Sequence, residues 1–196
     1  MNTRRLSGLG LEAAAVASAA IVILGAVILR AGAAAGAPEP EQPAARAKVG
    51  EVVFRADFAA ADALRHWQWG ERPGVALVRQ PSGRQVLLIE QSAANAAGSN
   101  VVRRRLPVEQ LRGTKIRVRC RAWAEQVSKP PKTWNGVKCM IHTTGPSGPR
   151  WTQENNVWGT FSDRRLAFTA AVPEEATEAY LVLGLEAVSG KVWFDD

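Results

Sequence analysis

The chain has 196 residues and a formal charge of +7, a length that accommodates one ordinary domain plus a targeting segment and excludes two full-sized domains with separate cores. All seven tryptophans lie after residue 50, so the folded part begins there. From residue 51 onward, 20 Lys and Arg face 15 Asp and Glu, a modest excess that identifies no nucleic-acid partner.

In chain order, Arg4 and Arg5 precede an apolar run from Ala13 to Leu29, and small residues follow to Ala37. Residues 1–35 therefore have the charged, apolar, small-residue order of a signal peptide. The run is also just long enough for a single-pass membrane anchor. Under either reading the rest of the chain is exported to the extracellular space, the periplasm or the cell envelope, and only this segment meets a membrane. Residues 36–50, rich in Pro, Ala and charge without apolar periodicity, form a disordered linker.

Residues 51–196 carry short runs of Val, Ile, Leu, Thr and aromatics between Gly, Pro, Asn and Ser clusters, the rhythm of an antiparallel β protein. Strands are expected in EVVFRADF, GVALVRQ, QVLLIEQ, NVVRRRL, TKIRVRCRAWAEQV, GVKCMIHT, RRLAFTAAV, AYLVLGLE and KVWFDD. About nine strands suit an all-β, two-sheet antiparallel sandwich. Short helical turns fit near Asp62–Leu64 and Glu174–Ala176. Arg117, Arg119 and Arg121 alternate and share one face, which reads as the solvated side of a half-buried strand, whereas Arg103, Arg104 and Arg105 divide between two faces. Cys120 and Cys139 are the only cysteines. In an exported chain they suit a disulfide, but each also sits on an apolar strand face, where a thiol is a small buried hydrophobe.

The closing segment VPEEATEAYLVLGLEAVSGKVWFDD resembles the last strands of galactose-binding-like jelly rolls. VKCMIHTTGPSGPRWTQENNVWGTF followed by RRLAFTAAVP is similar to the carbohydrate-binding-module-like domain N-terminal to the catalytic barrel of extracellular, cellulase-like family-five glycoside hydrolases. The resemblance covers residues 51–196 and is strongest after Arg112. It implies a galactose-binding-like jelly roll that is a non-catalytic accessory domain, with a polysaccharide or a linked catalytic domain as partner. A (β/α)-barrel needs about 250 residues, so this sequence reads as a fragment lacking its enzyme. The other reading is a membrane-anchored adhesion domain that binds a protein.

Such domains often hold a structural Ca2+ between the first and last strands, and Asp57 and Asp196 occupy the matching places; several further oxygens would be needed. Of Asp195 and Asp196, one points inward and requires a cation or a hydrogen-bonding partner. Sugar binding relies on aromatic platforms. Trp134 and Trp151 lie outside any alternating core face and are the platform candidates, with core or loop packing as the competing role. Arg150, His142, Gln153, Asn155 and Asn156 supply polar contacts. Trp123, Trp158, Trp193 and Phe168 are assigned to the core. Glu125 and Glu154 are the one carboxylate pair near the polar loops, and no other feature favours glycoside hydrolysis by this chain.

Overall fold

The computed structural model describes residues 45–195. The expected signal or anchor segment, most of the linker and Asp196 lie outside the described residues. Among the described residues, nine strands form two antiparallel sheets. In chain order they are β1 (Val75–Arg79), β2 (Gln85–Gln91), β3 (Ser99–Arg105), β4 (Lys115–Val127), β5 (Gly136–Thr144), β6 (Arg150–Gln153), β7 (Gly159–Ala171), β8 (Glu178–Glu186) and β9 (Gly190–Asp195). One sheet has the order β1-β2-β9-β4-β7 and the other β3-β8-β5-β6. A single α-helical turn, α1 (Val108–Leu111), and two short 3-10 turns (Ala63–His66 and Ala93–Asn95) connect them. No helix among the described residues is long and apolar enough to cross a membrane.

Alternation along each strand selects the side chains of the core. Val137, Cys139 and Ile141 of β5 and Leu181, Leu183 and Leu185 of β8 turn inward against Cys120, Ala122 and Ala124 of β4 and Val192 and Phe194 of β9. Leu87, Ile89, Leu185 and Phe194 have no exposed surface, and each such side chain contributes about 1.5–3 kcal/mol of burial free energy.

Eight of the nine expected strands form, and EVVFRADF does not. Residues 51–59 have no ladder partner among the described residues. Their apolar side chains instead close the sandwich: Phe58 is buried, and both it and Phe54 meet Trp67, with ring centroids 5.7 and 6.4 Å apart. The Gln85 amide donates to the carbonyls of Phe58 and Ala60 in place of a neighbouring strand. The ninth strand is β6, too short and too polar to stand out in sequence.

The aromatic assignments need correction. Trp123 and Trp193 are not core residues; they are register partners on the outer face of the five-stranded sheet. Their chain neighbours Ala122, Ala124, Val192 and Phe194 take the inward positions, so alternation prevails over side-chain size. Trp158 is 42% exposed in the loop before β7. Phe168 packs partly buried against the core, and the tryptophan that enters the core is Trp67.

Of the two readings of the cysteines, the structure takes that of small buried hydrophobes. Cys120 and Cys139 are buried free thiols on facing strands of opposite sheets, each a small apolar element of the interior. The Cys120 thiol donates to the Arg121 carbonyl at 3.6 Å. The neighbouring Cys139 side chain, then burial, hold the Cys120 thiol well above its ordinary pKa.

Candidate functional site

The outer face of the four-stranded sheet carries the candidate site. Lys138, Met140 and His142 of β5 point away from the core, as do Tyr180 and Val182 of β8 and Trp151 and Gln153 of β6. Register places His142 directly opposite Tyr180 on one side and Trp151 on the other. The three rings make a row across three strands. His142 and Trp151 are parallel within 2°, with centroids 5.5 Å apart, and His142 lies 6.4 Å from Tyr180. At the β3 end, the Arg103 guanidinium carbon is 4.5 Å from the centroid of Tyr180 and 4.5 Å from that of Trp69, so it bridges two aromatic faces. Trp69 is held there by its loop, with φ of 67°, and by the Gln68–Arg103 bridge to β3.

Polar groups flank the row. Lys138, only 3% exposed, pairs with Glu186 and donates to the Trp134 carbonyl and, at 3.1 Å, to Gln153 Oε1. The Gln153 amide donates to the Trp134 carbonyl at 2.7 Å and to Asn155 Oδ1 at 2.9 Å. This network pins the loop whose Trp134 ring is 55% exposed. The Tyr180 hydroxyl donates to Glu178 at 3.0 Å. Burial, then the positive field of Arg103, lower the His142 pKa below its ordinary 6.5 against the opposing pull of Glu178. Its Nε2 is buried without a hydrogen-bond partner among the described residues.

Of the residues singled out from sequence, Trp134, Trp151, His142, Gln153 and Asn155 converge on this face. Arg150 starts β6 beside them, exposed. Asn156 donates its backbone N–H to the Thr133 carbonyl from a left-handed φ of 58° and so shapes the Trp134 loop. Sequence reading missed Tyr180, Arg103, Trp69 and Lys138. The alternation of VKCMIH already placed Lys138 and His142 on one side, whereas AYLVLGLE is apolar almost throughout and hid the outward position of Tyr180.

The other candidates stand apart. Asp57 is exposed and accepts a 2.8 Å bond from the Ala59 amide, closing a turn. Among the described residues no group of three or more His, Cys, Asp or Glu side chains is placed to hold a metal ion. Asp195 is buried and meets Arg84 Nε at 2.9 Å, the hydrogen-bonding partner that an inward carboxylate requires, while Asp196 lies outside the described residues. Glu154 pairs with Arg164, while Glu125 lies exposed near the end of β4.

The fold is thus the two-sheet jelly roll of carbohydrate-binding modules, with an aromatic row on the outer face of one sheet that is exposed at Trp151 and buried at Tyr180. Among solved structures it is similar to a xylan-binding domain of carbohydrate-binding module family 22, at 18% identity and a TM-score of 0.50 over 72% of this chain and 89% of that one. It is also similar to the C-terminal family 22 module of a Clostridium thermocellum xylanase, at 20% identity and a TM-score of 0.49 over 72% and 88%. A family 16 module gives 13% identity and a TM-score of 0.47 over 74% and 96%. No family model matches the sequence, and no curated protein matches it.

Proposed function

We propose that the chain is a non-catalytic, carbohydrate-binding accessory domain of an exported protein that acts on polysaccharide, and that it takes up glycan on the outer face of the four-stranded sheet. The observation that carries this reading is the row Tyr180–His142–Trp151, three rings in direct cross-strand register. Trp151 is 61% exposed and offers a flat apolar surface to a pyranose ring. Gln153, Asn155 and the Arg103 guanidinium supply the directional polar contacts that fix a sugar's hydroxyls. Neutral His142 adds hydrogen-bonding capacity without charge. The fold shared with a domain described as xylan-binding supports xylan as the first polymer to try.

Affinity electrophoresis of the full chain and of Trp151→Ala, through gels containing xylan, β-glucan, mannan or galactan, tests the reading. The expected result is retardation by at least one polymer and its loss in the variant. A correctly folded chain that no polymer slows would overturn the proposal.

A further inference from the structure

The β3 end of the aromatic face carries two guanidinium groups on one indole. The Arg72 and Arg103 guanidinium carbons lie 4.7 and 4.5 Å from the Trp69 centroid. They are therefore closer to each other than the Debye length of about 10 Å at 0.1 M salt, and their repulsion is only partly screened. Neither has a carboxylate within ion-pair distance among the described residues, although Arg46, Arg84, Arg112, Arg121 and Arg164 each have one. Arg103 donates through Nε to Gln68 Oε1, which fixes the plane of its fork while both terminal nitrogens stay available. Beside Trp69 and Arg72 the surface opens into a depression of about 840 Å³, roomy enough for a sugar ring. Asp62 and Glu71 line it too, without pairing to either guanidinium.

Arg103, held between Trp69 and Tyr180, does not line this depression; the fork beside it is that of Arg72, which lies on the same indole without an internal counter-charge and is suited to a planar carboxylate, with Arg103 adding positive field. We propose that the Arg72–Trp69–Arg103 cluster binds the carboxylate of a uronic acid residue, so that the polysaccharide preferred by this face is acidic. The inference rests on the glycan-binding reading above and narrows it to a substrate class. In this arrangement the exposed Trp151 holds a neutral sugar of the same chain, and Arg72 selects the acidic one.

The test compares glucuronoxylan with its carboxyl-reduced form, which keeps the backbone and removes the charge, by isothermal titration of the full chain. The reduced polymer is expected to bind about tenfold more weakly. Arg72→Gln is expected to narrow that difference while leaving affinity for the reduced polymer unchanged. Arg72 is exposed, so the variant is expected to fold. Raising salt is expected to weaken only the acidic polymer. Equal binding of both forms overturns the acidic preference but leaves glycan binding intact. Equal loss of both forms in Arg72→Gln has the same meaning. Failure of the folded chain to bind any polymer in the electrophoresis panel removes both proposals.

Discussion

The imidazole of His142 and the indole of Trp151 lie parallel within 2° at register-paired positions of β5 and β6, with the imidazole buried enough to disfavour its charged form. A histidine whose folded pKa lies below its unfolded value binds fewer protons in the folded state. The stability linked to it is complete above about 6.5 and is lost as the pH falls through the folded value. The His142 ring resonance, assigned by its disappearance in His142→Phe, is expected to titrate with a midpoint below 6.5. The same variant is expected to flatten the fall in melting temperature between about pH 7 and pH 5. A midpoint at or above the ordinary value would contradict the half-buried position of His142 near Arg103.

Lys138 joins three elements through one ammonium, bonding to Glu186, the Trp134 carbonyl and Gln153. Lys138→Met removes the ammonium from Glu186 and Gln153 Oε1, while the Trp134 carbonyl keeps the Gln153 amide. Since Glu186 retains access to water, the expected loss is about 1–3 kcal/mol rather than the larger cost of stranding a fully buried charge. Urea denaturation measures it. Adding Glu186→Leu is expected to recover part of the loss, and strict additivity of the two changes would argue against their coupling.

Cys120 and Cys139 are buried thiols, and the pKa of Cys120 is raised. Since the thiolate is the nucleophile, neither is expected to react with an aromatic disulfide reagent in the native chain near pH 8, while both react in denaturant. Absence of reactive thiols even after denaturation would mean that the two sulfurs are joined in the isolated protein.

Gly184 lies in the middle of β8 with φ of 148°, and a methyl group there would come within 2.3 Å of the Asn100 carbonyl oxygen. Gly184→Ala is expected to cost upwards of about 1–3 kcal/mol, the backbone strain alone. Gly83 also has positive φ, at 84°, but faces open space. Gly83→Ala is therefore expected to shift the urea midpoint less, and equal shifts would show that the close approach of β3 to β8 is unimportant.

Trp123 and Trp193 line a cleft of about 420 Å³ on the opposite sheet, together with Pro81, Phe161 and Glu125. If glycan binding belongs to the four-stranded sheet, Trp123→Ala leaves retardation by the bound polymer within about twofold of the original chain, since uncoupled sites behave independently. Loss comparable to that of Trp151→Ala would move the site to the five-stranded sheet.

Much of the architecture was legible in the sequence because each strand declares itself locally. KIRVRCRA alternates and becomes the first part of β4, while Pro81, Ser82 and Gly83 mark the turn between β1 and β2. EVVFRADF has the composition of a strand, but a ladder requires a partner at the right height and direction, and among the described residues it pairs with none. Trp123 and Trp193 illustrate a second limit. Size suggested burial, whereas the small Ala122 and Ala124 were the residues the core could accommodate at that register.

The candidate site was legible only in part, for the same physical reason. Sequence determined that Trp151 and His142 lie near polar, turn-rich segments and that Asp195 or Asp196 must face inward, since periodicity of two is a local property of a strand. It could not determine that Tyr180, His142 and Trp151 form one row, because their alignment depends on the pairing of β8 with β5 and of β5 with β6. Nor could it bring Trp69 and Arg103, 34 positions apart in the chain, onto one face. Those relationships arise from hydrogen-bond register between distant strands, and only the tertiary structure fixes that register.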